Sequence, residues 1–434
     1  MIRLRWVHRA SLLIVGVLLS GASGQVELAR GESNWPRWRG AHQDGHTDQS
    51  NLPVHWSPAD VVWKATLPGH GQSSPVIWGD RIFLTTALER GRERLVFCVD
   101  RNDGRLLWQH TAWKGEPEPS HTMNGWASST CATDGEVVVA FFGRGGLHAY
   151  TVDGKPLWSL NLGTFESPWS IAACPIILGD LVIQNGDSDA DAFLAAFDKH
   201  TGKQVWRTKR PDNRGWSTPI LVHVAASASG KEHDELVLNG HTGVYGYDPK
   251  TGKELWFCQG FNGRGEPTVT PAGDVLCVVN GLKGDFYAVR PGGSGDVTAT
   301  RMAWHTPRKG GRDCPSPIVV GQFVIVCDMK GIATCYRTTD GKEVWKERIG
   351  SNFSSSPIAA AGLVYFQAED GTTVVIRPGP KLDVVATNAL DPAQDEVFRA
   401  SLTPSEGQIF ARSDHVLYCI GKRTKRQGQA QASR

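Results

Sequence analysis

One segment of the sequence places carboxylates at alternate positions, a pattern by which a short loop can wrap a cation. Asp187, Asp189 and Asp191 follow directly after Asn185 and Gly186. Ca²⁺ takes six to eight oxygen ligands from side chains of this kind. A full calcium loop also has a glycine after the third acid and a distant glutamate, whereas an apolar strand begins here. A weak calcium site and a solvated turn both remain open, and the sequence favours the turn.

Other residues that could do chemistry are isolated. His70 and His121 could be metal ligands, but spacing places no third histidine near them. The chain has no Gly-x-Ser-x-Gly nucleophile motif and no His-Glu-x-x-His motif. The glycine-rich run at 142–146 follows a strand and opens no helix, so we interpret it as a hairpin turn and not as a phosphate loop. We therefore expect no catalytic residues.

A tryptophan returns about every 40–50 residues behind the same turn. Residues 196–206 read Ala-Phe-Asp-Lys-His-Thr-Gly-Lys-Gln-Val-Trp, and residues 246–256 read Gly-Tyr-Asp-Pro-Lys-Thr-Gly-Lys-Glu-Leu-Trp. A repeat of this length indicates a propeller, solenoid or array, so most of what recurs is structural. We predict that these tryptophans anchor the outer strand of each repeat, where the indole N–H finds a carbonyl in the neighbouring repeat. The predicted anchors are Trp63, Trp108, Trp158, Trp206, Trp256, Trp304 and Trp345.

A second signature, a small residue before proline and a short apolar run, opens most repeats, as at Ser355-Ser-Pro-Ile358. Short β-rich runs alternate with tight polar turns and show no helical period. Seven tryptophan repeats and one degenerate copy with Asn388 make eight units. The strand at Trp63 lacks a partner before it, and the strand at 415–420 lacks one after it. The sequence thus predicts an all-β, eight-bladed propeller of four-stranded antiparallel blades, closed by the N-terminal strand.

Propeller topology brings the loops between successive blades to one face, which we call the funnel face, and the Thr-Gly-Lys turns to the other. Candidate ligand-binding residues from these loops are His70, His121, Asn124, Trp126, Trp216, Arg264 and Arg312. Polar and aromatic groups around a funnel are typical of a ligand or peptide site. The alternative is that these side chains cap the channel and bind blade ends, and the sequence leaves both open.

The ends of the chain have a different composition from its body. Residues 1–24 have three arginines, an apolar run and small residues, which is typical of a secretory signal peptide. We expect an extended lead-in at 25–60, the propeller at 61–421 and a basic, disordered tail at 422–434. Eight positive charges lie in the two end segments, and removing them from the total of +2 leaves −6 for residues 25–421. An acidic body argues against nucleic-acid binding, and no apolar run is long enough to span a membrane.

The pattern Ala-x-Asp-x-x-Thr-Gly-x-x-x-Trp resembles the repeat of eight-bladed propellers named for pyrroloquinoline quinone (PQQ). The resemblance covers about 360 residues, 61–421. It implies a periplasmic or secreted location and one of two roles. Some members are quinoprotein alcohol or sugar dehydrogenases, which hold PQQ and Ca²⁺ and carry a vicinal cysteine pair. Another member is the propeller lipoprotein of the outer-membrane barrel-assembly machine, which has no cofactor.

The residues of this chain favour the second role. It has nine scattered cysteines, no adjacent cysteine pair and no lipid-bearing cysteine after residue 24. The resemblance therefore implies a binding or scaffold module that acts through the funnel face on a protein or small-molecule ligand, and a monomer is expected. The alternative is a quinoprotein oxidoreductase dependent on PQQ and calcium. No cofactor is expected under the first hypothesis.

Overall fold

The computed structural model describes residues 33–226, 231–261, 263–282, 284–308 and 314–424. The predicted signal peptide, Arg312 and most of the predicted tail lie outside these residues. Within them, eight antiparallel sheets form a ring, which confirms the predicted eight-bladed propeller. No helix in the described ranges is both long enough and apolar enough to cross a bilayer.

Two strands precede the first complete blade, β1 (His46–Thr47) and β2 (Val61–Thr66). Blade 1 consists of β3 (Val76–Trp78), β4 (Arg81–Leu88), β5 (Glu93–Asp100) and β6 (Leu106–Lys114), and blade 2 of β7 (Ala132–Thr133), β8 (Val137–Phe141), β9 (Leu147–Thr151) and β10 (Pro156–Leu160). Blade 3 consists of β11 (Ile176–Leu178), β12 (Leu181–Gly186), β13 (Phe193–Asp198) and β14 (Gln204–Lys209), and blade 4 of β15 (Ile220–Val224), β16 (His233–Asn239), β17 (Gly243–Tyr247) and β18 (Glu254–Gln259).

Blade 5 consists of β19 (Thr270–Ala272), β20 (Val275–Val279), β21 (Phe286–Val289) and β23 (Met302–Thr306), and blade 6 of β24 (Ile318–Val320), β25 (Phe323–Cys327), β26 (Ile332–Arg337) and β27 (Glu343–Arg348). Blade 7 consists of β28 (Ile358–Ala360), β29 (Leu363–Gln367), β30 (Thr373–Ile376) and β31 (Val384–Asn388). Blade 8 consists of β32 (Thr403–Ser405), β33 (Gln408–Arg412) and β34 (Val416–Gly421), and β2 is its fourth strand. A short β22 (Gly295–Asp296) extends blade 4, and β1 extends blade 7. The helices are α1 (Thr298–Arg301) and 3-10 turns at Pro58–Asp60, Glu89–Gly91 and Gly143–Gly145.

The burial of each strand follows its distance from the axis of the ring. The first strands of neighbouring blades contact one another, so they line the centre. The second and third strands are covered on both faces by adjacent blades, and β8 is buried at all five positions. The outer β14 alternates between exposed and buried positions because only one of its faces meets a neighbour. The continuous apolar runs in the sequence therefore correspond to blade interiors.

The repeat tryptophans form the contact between successive blades, as predicted. In six of the seven repeats the indole N–H donates to a backbone carbonyl of the next blade, at 2.8 to 3.2 Å. The turn glycine lies beneath the indole of the preceding blade. A Cβ at Gly252, where φ is +71°, would lie 2.3 Å from Cε3 of Trp206. Glycine is thus required at this position for two reasons, the left-handed backbone and the close approach of the indole ring.

Trp256 is the exception, and the expectation that its N–H reaches a neighbouring carbonyl is wrong. Its indole is fully buried over Gly246 of its own blade, and Nε1 donates to Oε2 of Glu235 at 2.7 Å. Glu235 is also fully buried and accepts the backbone N–H of Gly292 at 3.1 Å. The indole can fold inward because glycine replaces the alanine of residue 196 at this position.

The small residue before proline has a structural role that its sequence signature did not explain. At seven of the eight blade junctions, a backbone N–H at this position, or at the equivalent position in blades that lack the proline (Thr130, Thr268 and Ser401), donates to the hydroxyl or thiol of its counterpart in the next blade. The acceptors, in order around the ring, are Thr130, Cys174, Thr218, Ser316, Ser356, Ser401 and Ser74. The signature therefore encodes a belt of hydrogen bonds around the channel.

Removal of one acceptor should cost measurable stability. Ser356→Ala leaves the buried N–H of Ser316 without its acceptor, at present 2.9 Å away. We expect a loss of about 1–3 kcal/mol in the free energy of unfolding, the cost of a buried unsatisfied donor. Denaturant unfolding measures it, and Ser351→Ala, an exposed serine in the same loop, should change stability by less than about 0.5 kcal/mol. Equal effects would contradict the role of the belt.

The ring closes between the two ends of the chain. β2 pairs antiparallel with β34, with Trp63 opposite Cys419 and Ala65 opposite Leu417. Blade 8 therefore takes three strands from the C-terminal region and its outer strand from the N-terminal region. This arrangement confirms the predicted closure and leaves no sheet of three strands with an exposed apolar edge.

The described residues of the lead-in up to residue 49 lie at the centre of the ring, a position that the sequence did not indicate. Residues 33–49, which we call the plug, make hydrogen bonds to the first-strand region of every blade. The pairs, from blade 1 to blade 8, are Trp35–Ile77, Pro36–Thr133, Arg37–Ile177, Gln43–Leu221, Trp38–Thr268, Arg39–Pro317, Gly45–Ala359 and Gln49–Gly407. The plug closes the channel and supplies a floor for the funnel face.

A buried arginine fixes the position of the plug in the channel. The Arg39 side chain is 3% exposed, and its guanidinium donates to the carbonyl of Pro317 at 2.7 Å and to that of Asp44. Burial lowers the pKa of Arg39 to about 10, and the nearby Asp44 carboxylate partly offsets this shift. Since a buried cation needs such acceptors, the plug has one register in the channel.

Candidate functional site

A cavity of about 190 Å³ lies at the centre of the funnel face, and we call it the axial cavity. Every one of the eight interblade loops contributes to its lining, and Trp38 of the plug forms part of its wall. The lining residues are Trp38, Gln72, His121, Met123, Asn124, Ser128, Trp169, Ala172, Cys174, Trp216, Glu266, Thr268, Cys314, Ser316, Ser354 and Arg399. Because these loops converge only when the ring is closed, the cavity is a property of the complete propeller.

Tryptophans dominate one side of the cavity. The rings of Trp169 and Trp216 are 6.0 Å apart and tilted by 35°. The guanidinium carbons of Arg214 and Arg264 lie 4.6 and 4.4 Å from the centre of the Trp169 ring. Cation–π contacts of this kind hold the indole in place. The cavity thus has an aromatic wall whose orientation is fixed by charged neighbours.

Another part of the cavity lining is polar. Arg399 pairs with Glu369, with its Nε 3.2 Å from Oε1, and also donates to the carbonyl of Thr122 at 3.3 Å. His121 accepts the backbone N–H of Met123 through Nδ1 at 3.2 Å. That acceptor role places the proton of a neutral His121 on Nε2. A lining that combines an aromatic wall with a cation and a histidine is suited to hold an amphipathic ligand.

The structure brings only some of the predicted funnel residues to the cavity. His121, Asn124 and Trp216 line it, and Arg264 contacts it through Trp169. Trp126 does not line it: its Nε1 donates to the carbonyl of Glu118 at 2.8 Å, and the indole packs on Gly91. Arg312 lies outside the described residues. Among the lining residues, Trp38 and Arg399 were not predicted from the sequence, because their chain segments follow no repeat.

His70 lies at the edge of the funnel face and not in the axial cavity. Its imidazole is exposed, and Nδ1 lies 2.9 Å from Oδ2 of Asp414. His70 and His121 were considered as ligands of one metal ion, but His121 lines the axial cavity and His70 does not. His70 instead lies close to Asp414 and His415.

The alternate carboxylates at 187–191 form ion pairs. Asp187 is 4% exposed and accepts two hydrogen bonds from Arg210, at 2.6 and 3.1 Å. Asp189 pairs with Arg214 at 2.6 Å, while Asp191 is exposed with φ of +56°. The expectation of a solvated turn is therefore wrong for Asp187. Because arginines occupy two of the three carboxylates, the segment does not present a set of calcium ligands.

Asp187 and Arg210 instead connect blades 3 and 4. Arg210 lies over the rings of Tyr245 and Tyr247, 4.8 and 5.6 Å from their centres, and donates to the hydroxyl of Tyr247. Burial alone would lower the pKa of Arg210, but Asp187 and the two tyrosines raise it above its usual value. A fully paired buried charge of this kind stabilises one arrangement of the two blades.

The nine cysteines all lie in the described part of the chain, and none forms a disulfide. Cys98, Cys335 and Cys419, predicted to be small buried side chains, are fully buried. Burial raises the pKa of the Cys98 and Cys335 thiols to about 12. They are therefore packing residues and not nucleophiles.

Comparison with known proteins gives two groups of relatives. The profile of the family described as "Outer membrane protein assembly factor BamB" matches residues 47–167, 91–290 and 283–378. The assembly factor BamB of Burkholderia pseudomallei is 23% identical over 364 residues, which cover 73% of this chain and 87% of that protein. The quinohemoprotein alcohol dehydrogenase ADH IIB of Pseudomonas putida is 25% identical over 322 residues, 66% of this chain but only 44% of that enzyme.

The crystal structure of BamB from Moraxella catarrhalis superposes with a TM-score of 0.58 at 17% identity. The match covers 84% of this chain and 97% of that one. At this identity the likeness supports the fold alone. It agrees with the eight-bladed ring described above.

Proposed function

Because the chain belongs to the family described as outer membrane protein assembly factor BamB, we propose that it is a binding or scaffold module that holds a segment of a partner protein in the axial cavity. The observation that carries this proposal is the convergence of all eight interblade loops and the plug on one aromatic cavity. Residues 1–24 would direct it to the periplasm as a cleaved signal peptide.

The chemistry of the cavity suits a polypeptide with an exposed apolar or aromatic side chain. Trp169 and Trp216 offer a large apolar surface, and their rigid rings lose little conformational entropy when a ligand binds. Arg399 and His121 on the polar side can meet backbone carbonyls or an acidic side chain. Tryptophan and arginine are the residue types in which the binding energy of protein interfaces concentrates.

A variant without the aromatic wall should lose the partner. We expect the double variant Trp169→Ala/Trp216→Ala to bind the partner protein at least tenfold more weakly. A loss of about 1.4 kcal/mol of binding free energy raises the dissociation constant tenfold, and tryptophans at the centre of an interface often contribute more than this. Both side chains are only half-buried, so the free energy of unfolding should fall by less than the roughly 3–5 kcal/mol expected for one fully buried tryptophan. The measurement compares proteins captured from periplasmic extract, followed by titration of the one most enriched.

Trp113→Ala is the matched control, because Trp113 is a half-buried tryptophan on the outer strand β6 that does not line the axial cavity. It should capture the same proteins as the unmodified chain. Unchanged capture by the double variant, together with several kcal/mol of lost stability, would show that the wall residues cap the channel, and the binding proposal would then be rejected.

A quinoprotein oxidoreductase is the second candidate, since the alcohol dehydrogenase of P. putida aligns with 66% of the chain. Such an enzyme holds PQQ against a Ca²⁺ ion, which needs six to eight oxygen ligands. Among the described lining side chains, Glu266 is the one carboxylate, and Gln72 and Asn124 are the two amides, which is fewer donors than the ion needs. This donor set does not fit a calcium ion. Addition of PQQ and Ca²⁺, with quinone absorbance and dye-linked alcohol oxidation as readouts, decides between the two candidates.

A further inference from the structure

A group of three side chains with metal-ligating atoms lies at the junction where the ring closes. The ligating atoms of His70, Asp414 and His415 all lie within 4.8 Å of one another. Nδ1 of His70 is 2.9 Å from Oδ2 of Asp414, and Nδ1 of His415 is 3.0 Å from Oδ1 of the same carboxylate. In the part of the chain that the structure describes, no other group of three such side chains reaches this proximity.

The separations are close to those of a zinc site. Zinc bonds to histidine nitrogen and carboxylate oxygen at about 2.0–2.2 Å, so ligand atoms at tetrahedral angles lie about 3.3–3.5 Å apart. The two nitrogen–oxygen distances end on different oxygens of the Asp414 carboxylate. Each needs to widen by only a few tenths of an ångström to admit an ion between the carboxylate and the two imidazoles. The two imidazoles meet edge to face with centres 5.6 Å apart, which leaves both Nδ1 atoms on the side of the carboxylate.

Backbone hydrogen bonds hold the three residues in place before any ion binds. His70 exchanges two backbone hydrogen bonds with Ala87, at 3.0 and 2.9 Å. The N–H of Gly71 donates to the carbonyl of Asp414 at 2.9 Å, and that of Leu67 to the carbonyl of His415 at 2.8 Å. A site fixed in this way loses little entropy when it binds a ligand.

We propose that His70, Asp414 and His415 bind one Zn²⁺ ion, with water in the fourth position. Two neutral imidazoles and one carboxylate are a common ligand set for zinc, whereas calcium and magnesium take oxygen ligands. The side chain of His70 is 71% exposed, which gives the ion a direct path from solvent.

The position of the site gives the ion a structural role. His70 follows β2, the N-terminal strand of blade 8, whereas Asp414 and His415 form the turn between β33 and β34. The ligands are 344 residues apart in sequence. An ion bound to all three residues connects the two ends of the ring. Any such link in the unfolded chain would close a very long loop and lower its conformational entropy, so the ion favours the folded state. Zinc should thus stabilise the closed propeller without any contribution from the axial cavity.

The test uses the full chain, freed of metal by a chelator, with Zn²⁺ and Co²⁺ as probes. We expect equilibrium dialysis to give one Zn²⁺ per chain and Co²⁺ to give the visible absorption bands of a four-coordinate site. Saturation with Zn²⁺ should raise Tm by a few degrees. His70→Ala and His415→Ala should each weaken zinc binding at least tenfold and abolish the rise in Tm.

His223→Ala is the matched control, since His223 is also exposed and within 3.3 Å of two carboxylates but belongs to no group of three. It should bind zinc as the unmodified chain does. His70→Ala should fold normally, because its backbone bonds to Ala87 do not involve the side chain. Zinc binding that survives both His70→Ala and His415→Ala, or an absence of stoichiometric binding in the unmodified chain, overturns the proposal.

Discussion

Replacement of residues 58–66 by a glycine–serine linker of equal length should abolish cooperative unfolding of the whole ring. The replacement removes β2, the outer strand of blade 8, and with it the side chain of Trp63. That indole packs 5.9 Å from the ring of Phe410 and donates to the carbonyl of Arg101 in blade 1 at 3.2 Å. Loss of such a tryptophan alone costs about 3–5 kcal/mol. With the strand pairing lost as well, the total approaches the 5–15 kcal/mol by which domains are stable.

Calorimetry and denaturant unfolding followed by two probes measure this effect. The control is the same replacement at residues 225–232, the connection between β15 and β16, whose described residues are exposed. The control should melt in one transition close to that of the unmodified chain. A variant without β2 that melts as sharply, and at the same temperature, would show that the stability of the ring does not depend on this closure.

Trp206→Ala should destabilise the propeller by about 3–5 kcal/mol, the range for a buried large aromatic side chain. Trp206 is 8% exposed, and its Nε1 donates to the carbonyl of Pro249 in the next blade at 3.1 Å. The indole packs on Gly252, so its removal leaves a void between two blades that a glycine cannot fill. The free energy of unfolding in urea gives the loss directly.

Trp113→Ala is the comparison, because Trp113 lies on β6 outside the repeat position. Its ring contacts the guanidinium of Arg94 at 4.4 Å, a cation–π contact that contributes about 0.5–2 kcal/mol. Arg94 remains paired with Glu118 in the variant. We therefore expect a loss of less than about 2 kcal/mol. Equal losses at the two tryptophans would mean that the repeat position carries no special packing.

The axial cavity could be predicted only in part. The topology of a propeller places all interblade loops on one face, so His121, Asn124 and Trp216 could be assigned to a common site from the sequence. Trp126 lies in the same loop as His121, yet its indole turns towards Glu118. Which way a loop side chain points depends on its neighbours in space, here the close approach of Gly91. Spacing along the chain carries no record of that contact.

Residues distant in sequence decided the remaining features of the site. Asp187 had the spacing of a calcium ligand, but Arg210 and two tyrosines of the next blade bury it as an ion pair. His70 found Asp414 and His415 because the ring closes between its ends. Arg399 reaches the cavity from the loop before blade 8, which has no repeat pattern.

The sequence by itself determined the fold, because each repeat carries its own local instructions. The turn glycine, the tryptophan and the small residue before proline recur in most of the blades, and each contacts a neighbouring blade in the same way from one repeat to the next. Only the tertiary structure decided what the ring encloses. The plug at 33–49 has no repeat and little regular secondary structure, and its place is set by hydrogen bonds to eight separate blades. Its Trp38 becomes part of the cavity since the closed ring leaves a channel there for it to fill.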